Sequence, residues 1–324
     1  MTAASSKATT LLADIGGTNA RFALLADGKI GPISHIAVGD FGTFQQALAA
    51  YLGDTAPPGT IRNAIFAASG PVQNGRCALT NNSWIIDAAE LCSDHGFSSV
   101  RLINDFEAVG WALPRLPPGS LLQLGGRERV AGAPLAALGP GTGLGMVISI
   151  PHAGAPIVLP SEGGHSTMAG SSLREDAVIE HLRRRFGHVS SERVLSGAGL
   201  ENLYDALASI DGVTVPERRA VDITRAGVEG TCPISRAAVD MFCAMLGSVA
   251  GNLALAIGAK GGIFIAGGIL RHMPEYLAAS QFRARFEGKG RLKAYLAPIP
   301  AYLVLDEYVA FVGLRALTEA EGLG

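Results

Sequence analysis

Residues 11–25, Leu11-Leu12-Ala13-Asp14-Ile15-Gly16-Gly17-Thr18-Asn19-Ala20-Arg21-Phe22-Ala23-Leu24-Leu25, decide the reading of this chain. Two apolar runs flank a Gly-Gly-Thr turn, so the segment predicts strand, glycine turn, strand. Working outward, Ala26-Asp27-Gly28-Lys29 adds a hairpin signal. Residues 135–150, LAALGPGTGLGMVISI, repeat the scheme, with Thr18 and Thr142 in matching places. The echo predicts two related α/β domains, each presenting a glycine hairpin to a common cleft.

Between and beyond the hairpins the pattern alternates. Helical spacing covers 41–52, a strand 61–68, and a helix opened by Asp87 runs to about His95. Val100 to Ile103 is a strand ending at Asn104-Asp105, and a helix begins at Phe106. Pro114, Pro117 and Pro118 mark a domain boundary. Helices are expected near 172–186, 198–209, 235–258 and 307–321, with an apolar strand and glycine turn in 261–270.

The chain has 324 residues, about two domains' worth, and 48% are apolar, enough for sizeable cores. Charged residues are 17%, below the usual value of about 25%, and glycines number 42, scattered without a period. That excludes collagen-like and disordered classes and fits an enzyme with buried strands and tight ligand-facing turns. A net charge of −2 offers no field for nucleic acid or an anionic membrane. Residues 241–259 are uncharged, but Ser248, Asn252 and several glycines favour a buried core helix over a membrane span. Cys77, Cys92, Cys232 and Cys243 form no C-x-x-C and no zinc spacing, and read as reduced thiols. The polar start, MTAASSKATT, reads as a frayed tail with no signal peptide, so a cytoplasmic location is expected. The Asn81-Asn82-Ser83 sequon is then a chance occurrence.

Four segments are candidates for chemistry. In Asp14–Arg21, Gly16 and Gly17 let the backbone approach anionic oxygens and Thr18 adds a hydroxyl, with Asn19 a further candidate for binding the nucleotide. Asp14 is either a ligand of a hydrated Mg²⁺ or the capping residue of an ordinary hairpin. Gly141, Thr142 and Gly143 form a second loop that is neither a P-loop nor the dinucleotide fingerprint; two such hairpins fit a polyphosphate. Asp105 is either a base accepting a hydroxyl proton or a helix N-cap. Glu162 and His165, with Gly163-Gly164 between them, either turn toward a polyol or form a surface turn. Glu192 alone is uninterpretable, since a capping box also fits it.

In order, DIGGTNAR (14–21), TNNSW (80–84), INDFEAVG (103–110), GPGTGLG (139–145), PSEGGH (160–165), HVSSERVLSGAGL (188–200), AGNLALAIG (250–258) and GGIFIAGGI (261–269) resemble bacterial glucokinases. The branch is the one without the cysteine zinc motif, and the likeness spans about 11–316. It implies the two-domain actin-like ATPase (ribonuclease H-like) fold, hinged over a cleft. Residues 1–115 with 306–324 would form the small domain and 116–305 the large one. It implies ATP-dependent phosphorylation of the glucose 6-hydroxyl, the first step of glycolysis, with Mg²⁺. Asp105 would be the base, and Asn104, Glu162, His165 and Glu192 would hold the other hydroxyls. Gly16, Gly17, Thr18, Gly141, Thr142 and Gly143 would cradle phosphates, and Gly267 and Gly268 would flank adenosine. Pro140 departs from the pattern and removes one N–H. A homodimer is suggested by the resemblance alone. The alternatives are a kinase for mannose, fructose or N-acetylglucosamine, and a sugar-responsive regulatory ATPase. A repressor of that second kind needs a DNA-binding extension, and only about ten polar residues precede the first strand.

Overall fold

The computed structural model describes residues 9–55, 61–80 and 82–323. Residues 1–8 of the amino-terminal tail and Asn81 of the sequon lie outside the described residues; Thr9 and Thr10, read as part of the frayed tail, instead begin the first strand. Contacts divide the chain into two compact units: residues 1–116, 153–160 and 308–324, and residues 117–152 with 161–307.

The first unit is a mixed sheet covered on both faces. Strands β1 (Thr9–Ile15) and β2 (Asn19–Ala26) form the antiparallel hairpin around the first glycine turn. Asp27 and Gly28 both take positive φ, 50° and 71°, in the two-residue turn to β3 (Lys29–Ile30). Two successive positive φ angles are the signature of the hairpin turn that matches strand twist. β4 (Ser34–Ala37) also pairs with β2. Helix α1 spans Phe44–Thr55. It starts three residues later than its apolar spacing predicts, because Thr43 and Gln46 fix its start. The Gln46 amide donates to Thr43 Oγ1 at 3.3 Å, and Gln46 Oε1 accepts from the Gly42 amide at 3.0 Å.

β5 (Ile61–Ala68) joins β1 in parallel. A small sheet of β6 (Val72–Gln73), β7 (Arg76–Ala78) and β8 (Ile85–Asp87) follows. Asp87 caps α2 (Ala88–His95) by accepting from the amides of Ala89 and Glu90, as its position predicts. β9 (Ser99–Asn104) extends the parallel set beside β5, giving the order β3-β2-β1-β5-β9, and α3 (Asp105–Ala112) follows it directly. Alternation along β1 sends Leu11, Ala13 and Ile15 into one core with Phe22, Phe44 and Phe66. Leu12 points into the other, with Ile65, Ile103, Ala108 and Phe311.

The second unit repeats the hairpin-plus-parallel-strand arrangement. β10 (Leu121–Gly125) precedes the hairpin of β11 (Leu135–Pro140) and β12 (Leu144–Ile150). β13 (Ile157–Ser161) follows in sequence, its residues 157–160 counted with the first unit and Ser161 with the second. Next come α4 (Leu173–Phe186), α5 (Gly197–Ile210), α6 (Ala220–Glu229) and α7 (Pro233–Ile257). β14 (Gly262–Ile265) then pairs in parallel with β11, as β5 does with β1. Four short helices, α8 (Gly268–Arg271), α9 (Pro274–Ala279), α10 (Phe282–Glu287) and α11 (Lys293–Leu296), lead to β15 (Ala301–Val304). The sheet runs β10-β15-β14-β11-β12.

Among the described residues, α7 is the one helix long and apolar enough to cross a membrane, but 67% of its most apolar window is buried within the protein. It is a core helix, and glycines explain how it packs. A Cβ on Gly247 would stand 2.1 Å from the Phe282 carbonyl oxygen, and one on Gly251 2.4 Å from that of Phe286. Backbone therefore meets backbone between α7 and α10. Helix α12 (Val309–Ala320) belongs to the first unit and closes the face holding Leu12 and Ile103. There a Cβ on Gly313 would stand 1.8 Å from the Ala108 carbonyl oxygen of α3. Cys77, Cys92, Cys232 and Cys243 are free thiols.

Candidate functional site

The first unit carries Asp14, Gly16, Gly17, Thr18, Asn19, Asn104 and Asp105. Asp14 falls on the face of β1 shared with Leu12, at the carboxyl end of the strand, where ligands of open α/β sheets bind. Its Oδ2 accepts from Arg21 Nη1 at 3.1 Å, across the hairpin from its ladder partner. The Gly16 amide donates to the Asn19 carbonyl oxygen at 2.9 Å. That amide closes the turn, so Gly16 serves the shape of the loop and leaves anion contact to Gly17 and Thr18. Asn82 Nδ2 donates to the Gly17 carbonyl oxygen at 3.3 Å, a support that the motif TNNSW contains but does not advertise.

Asn104, not Asp105, caps α3. Its Oδ1 accepts from the Phe106 amide at 2.9 Å, and its Nδ2 donates to the Gly70 carbonyl oxygen at 3.1 Å. Any sugar contact by Asn104 must use its second N–H or a remaining lone pair. Asp105 thus occupies the first helical position, where its Oδ1 also accepts from the Phe106 amide at 2.9 Å. Burial pushes its carboxyl up to about 7, and the charge of Asp14 adds to the rise. The Phe106 amide, its own amide and the Ser69 hydroxyl pull the other way. Ser69 is a residue that sequence reading missed. A carboxyl poised near neutrality suits a group that must take up a proton and later lose it.

The second unit carries Gly141, Thr142, Gly143, Glu162, His165, Glu192, Gly267 and Gly268. The Gly141 amide donates to the Gly143 carbonyl oxygen at 2.8 Å, so this loop too spends its first glycine amide internally. Thr142 and Gly143 remain for an anion. Pro140 removes no donor from the loop, since it ends β11 opposite Leu144. A Cβ on Gly267 would stand 2.3 Å from the Pro140 carbonyl oxygen, so Gly267 sets the turn after β14 against the end of β11. Nothing lies within 4 Å of a Cβ built on Gly268.

Glu192 is the centre of this group. Its Oε2 accepts from the Leu144 amide at 2.9 Å, and a Cβ on Gly143 would lie 2.5 Å from that same oxygen. The Gly197 amide donates to the Gly141 carbonyl oxygen at 2.8 Å. Residues 192–197 therefore hold both ends of the second glycine loop. Ser196, not Glu192, caps α5. His165 sits between two carboxylates, its Nδ1 4.0 Å from Glu192 Oε1 and its Nε2 3.9 Å from Glu162 Oε2. Neither separation is a hydrogen bond, so the three side chains keep donors and acceptors for a polyol.

Among the described residues no cluster of three metal-ligating side chains occurs. The residues fit a hydrated Mg²⁺ held chiefly by phosphate oxygens and water, with Asp14 the protein carboxylate beside it. The charge that Asp14 presses on Asp105 is what such a cation would offset.

Paired α/β units built on glycine hairpins are the two-domain actin-like fold shared by sugar kinases. The sequence model of the glucokinase family matches residues 11–321. The chain is 46% identical to a glucokinase of Paramagnetospirillum magneticum, covering 95% of this chain and 96% of that one. It is 43% identical to a glucokinase of Nitrobacter hamburgensis, over 97% and 98% of the two. The crystal structure of a glucokinase from an Antarctic psychrotroph superposes with a TM-score of 0.85 at 35% identity, covering 96% of this chain and 99% of that one. The chain belongs to the glucokinase family.

Proposed function

We propose that this protein transfers the γ-phosphoryl group of ATP to the 6-hydroxyl of D-glucose. The observation that carries the reading is Asp105, a carboxyl held near neutrality at the end of β9 and the start of α3. Phosphoryl transfer needs alignment and charge neutralisation more than covalent help. Asp105 orients the attacking hydroxyl and takes its proton. Glu162, His165 and Glu192 bind the remaining hydroxyls and fix the sugar's orientation. Amides of Gly17, Thr18, Thr142 and Gly143 face the phosphate oxygens, and the turn at Gly267 and Gly268 borders the adenosine. Asp14 would be the protein carboxylate nearest a hydrated Mg²⁺, which would supply positive charge to the phosphates. Residues 1–115 with 306–324 serve as the small domain and 116–305 as the large one, in a cytoplasmic enzyme that works without nucleic acid or membrane and assembles as a homodimer.

Sugar-dependent ADP release, measured side by side with glucose, mannose, fructose and N-acetylglucosamine, tests the assignment. Glucose should give the highest kcat/KM; turnover that needs no sugar would overturn it. Glu162→Gln should raise the KM for glucose about tenfold with little change in kcat, since one charged hydroxyl contact is worth about 1–3 kcal/mol. An unchanged KM would remove Glu162 from the sugar clamp.

The proton-accepting role also fixes a pH dependence. A base must be ionised, so kcat/KM for glucose should fall about tenfold per pH unit below pH 7 and level off above it. The midpoint should lie near 7, where Asp105 titrates. An acid limb centred near 4, the range of an ordinary carboxyl, would show that another group limits the rate.

A further inference from the structure

The second unit holds a cavity of about 370 Å³ whose lining includes none of the candidate sugar or nucleotide residues. It borders the loop that carries the sugar residues. Gly163, Ser166 and Met168 line it, while Glu162 and His165 do not. Ser248 and Asn252 of α7 and the side chain of Lys289 also line it. The lining is rich in hydroxyls and contains one cation and no carboxylate.

The charge around this cavity does not balance. Lys289 Nζ donates to the Ser248 carbonyl oxygen at 2.9 Å and to Asn252 Oδ1 at 2.6 Å, both neutral groups. Among the described residues no carboxylate lies within 4.0 Å of this ammonium. The neighbouring cation, Arg285, is fully used: its two terminal nitrogens meet Glu175 Oε1 and Oε2 at 2.7 and 2.8 Å, and its Nε meets Ser248 Oγ at 3.2 Å. Glu175 is buried and also accepts from the Ser171 amide at 2.7 Å. Two cations thus share one acid. Burial and Arg285 together push the Lys289 ammonium below its ordinary value, the expected response of a charge that lacks a counter-ion. Gly251 makes the placement possible, because a Cβ there would stand 3.0 Å from Lys289 Cε. An ammonium has three donors and the protein takes two.

We propose that this cavity binds a small phosphate monoester, and that its occupancy changes sugar affinity through the loop it shares with Glu162 and His165. A phosphate group offers several acceptors at once, which suits a cavity lined by one ammonium and by Ser166, Ser171 and Ser191. The ester would supply the missing negative charge. The cavity volume is that of a small-metabolite pocket. Because the ligand would contact Gly163 and Ser166 of the loop that carries Glu162 and His165, it would bias that loop, and each ligand must then alter the affinity of the other by the same factor. The coupling half of this inference rests on the proposed sugar site; the binding half does not.

Calorimetry of glycerol 3-phosphate on the full chain, with glycerol and inorganic phosphate as controls, tests it. The ester should bind with glycerol silent, inorganic phosphate should bind more weakly, and saturating ATP should leave the binding intact. Lys289→Met should weaken the ester about tenfold or more. Asn252→Asp, which sets a carboxylate beside the ammonium at nearly constant size, should weaken it too. Glucose affinity, read by calorimetry rather than turnover, should shift at least about twofold with the ester in the parent and not in Lys289→Met. A protein that binds both ligands but phosphorylates no sugar would fail the kinase reading and leave this one standing. The proposal is overturned by no ester binding, equal affinity in Lys289→Met, displacement by ATP, inorganic phosphate matching the ester, or an unmoved glucose affinity.

Discussion

Asp105→Asn is expected to keep glucose affinity nearly unchanged and to lower kcat by about three orders of magnitude. The amide fills the same space at the first position of α3 and can still accept from the Phe106 amide. It cannot take a proton from the attacking hydroxyl. A variant within tenfold of the parent would remove Asp105 from the role of base. The same substitution carries a second readout of opposite sign. The carboxyl titrates at about 7 in the folded chain and near 3.8 in the ordinary state. As pH rises from 3.8 to 7, the unfolded chain ionises this group more readily than the folded one, so stability falls across that window. Above pH 7 the penalty is complete, and Asp105→Asn should raise Tm at pH 8. The gain should vanish below about pH 3, where the carboxyl is protonated in both states of the parent. A Tm at pH 8 equal to or below the parent's would contradict the burial that sets the carboxyl near neutrality.

The second large effect is structural. Gly313→Val should cost about 3 kcal/mol or more, because a Cβ at Gly313 meets the Ala108 carbonyl oxygen and lies 3.2 Å from the Ala112 amide nitrogen. Both are backbone atoms of α3, so no side chain can rotate away. The helices must separate, opening the core of Leu12, Ile103 and Phe311. Since α3 begins at Asp105, the strain reaches the base. Thermal melting should fall by about 5 °C or more, with a loss of kcat at temperatures where the variant remains folded. Tm within about 2 °C of the parent would show that the α3–α12 packing tolerates a side chain.

Both glycine hairpins were legible because short apolar runs broken by Gly-Gly-Thr or Gly-Thr-Gly admit few other structures. The apolar strands at 61–68 and 262–265 were equally plain. What stayed hidden depends on partners distant in sequence or on choices between adjacent residues. Asn104 and Asp105 are both good caps, and the Gly70 carbonyl tips the choice to Asn104 by engaging its amide. Nothing near Glu192 in sequence reveals that its carboxylate accepts from the Leu144 amide. The internal use of the Gly16 and Gly141 amides is a property of turn geometry, which a run of glycines does not specify. Helix α6 escaped notice because Gly227 and Gly230 interrupt its pattern; Gly227 is there to let α7 approach, with a Cβ at 2.8 Å from the Ser235 carbonyl oxygen.

The return of α12 to the first unit has a consequence for biosynthesis. On the ribosome, residues 9–116 emerge early, yet the helix that covers Leu12, Ile65 and Ile103 is translated only after the entire second unit. The nascent amino-terminal segment therefore waits with an apolar face bare while the second unit is made. The part that is synthesised first becomes complete last, and its bare face is exposed to misassociation throughout that interval.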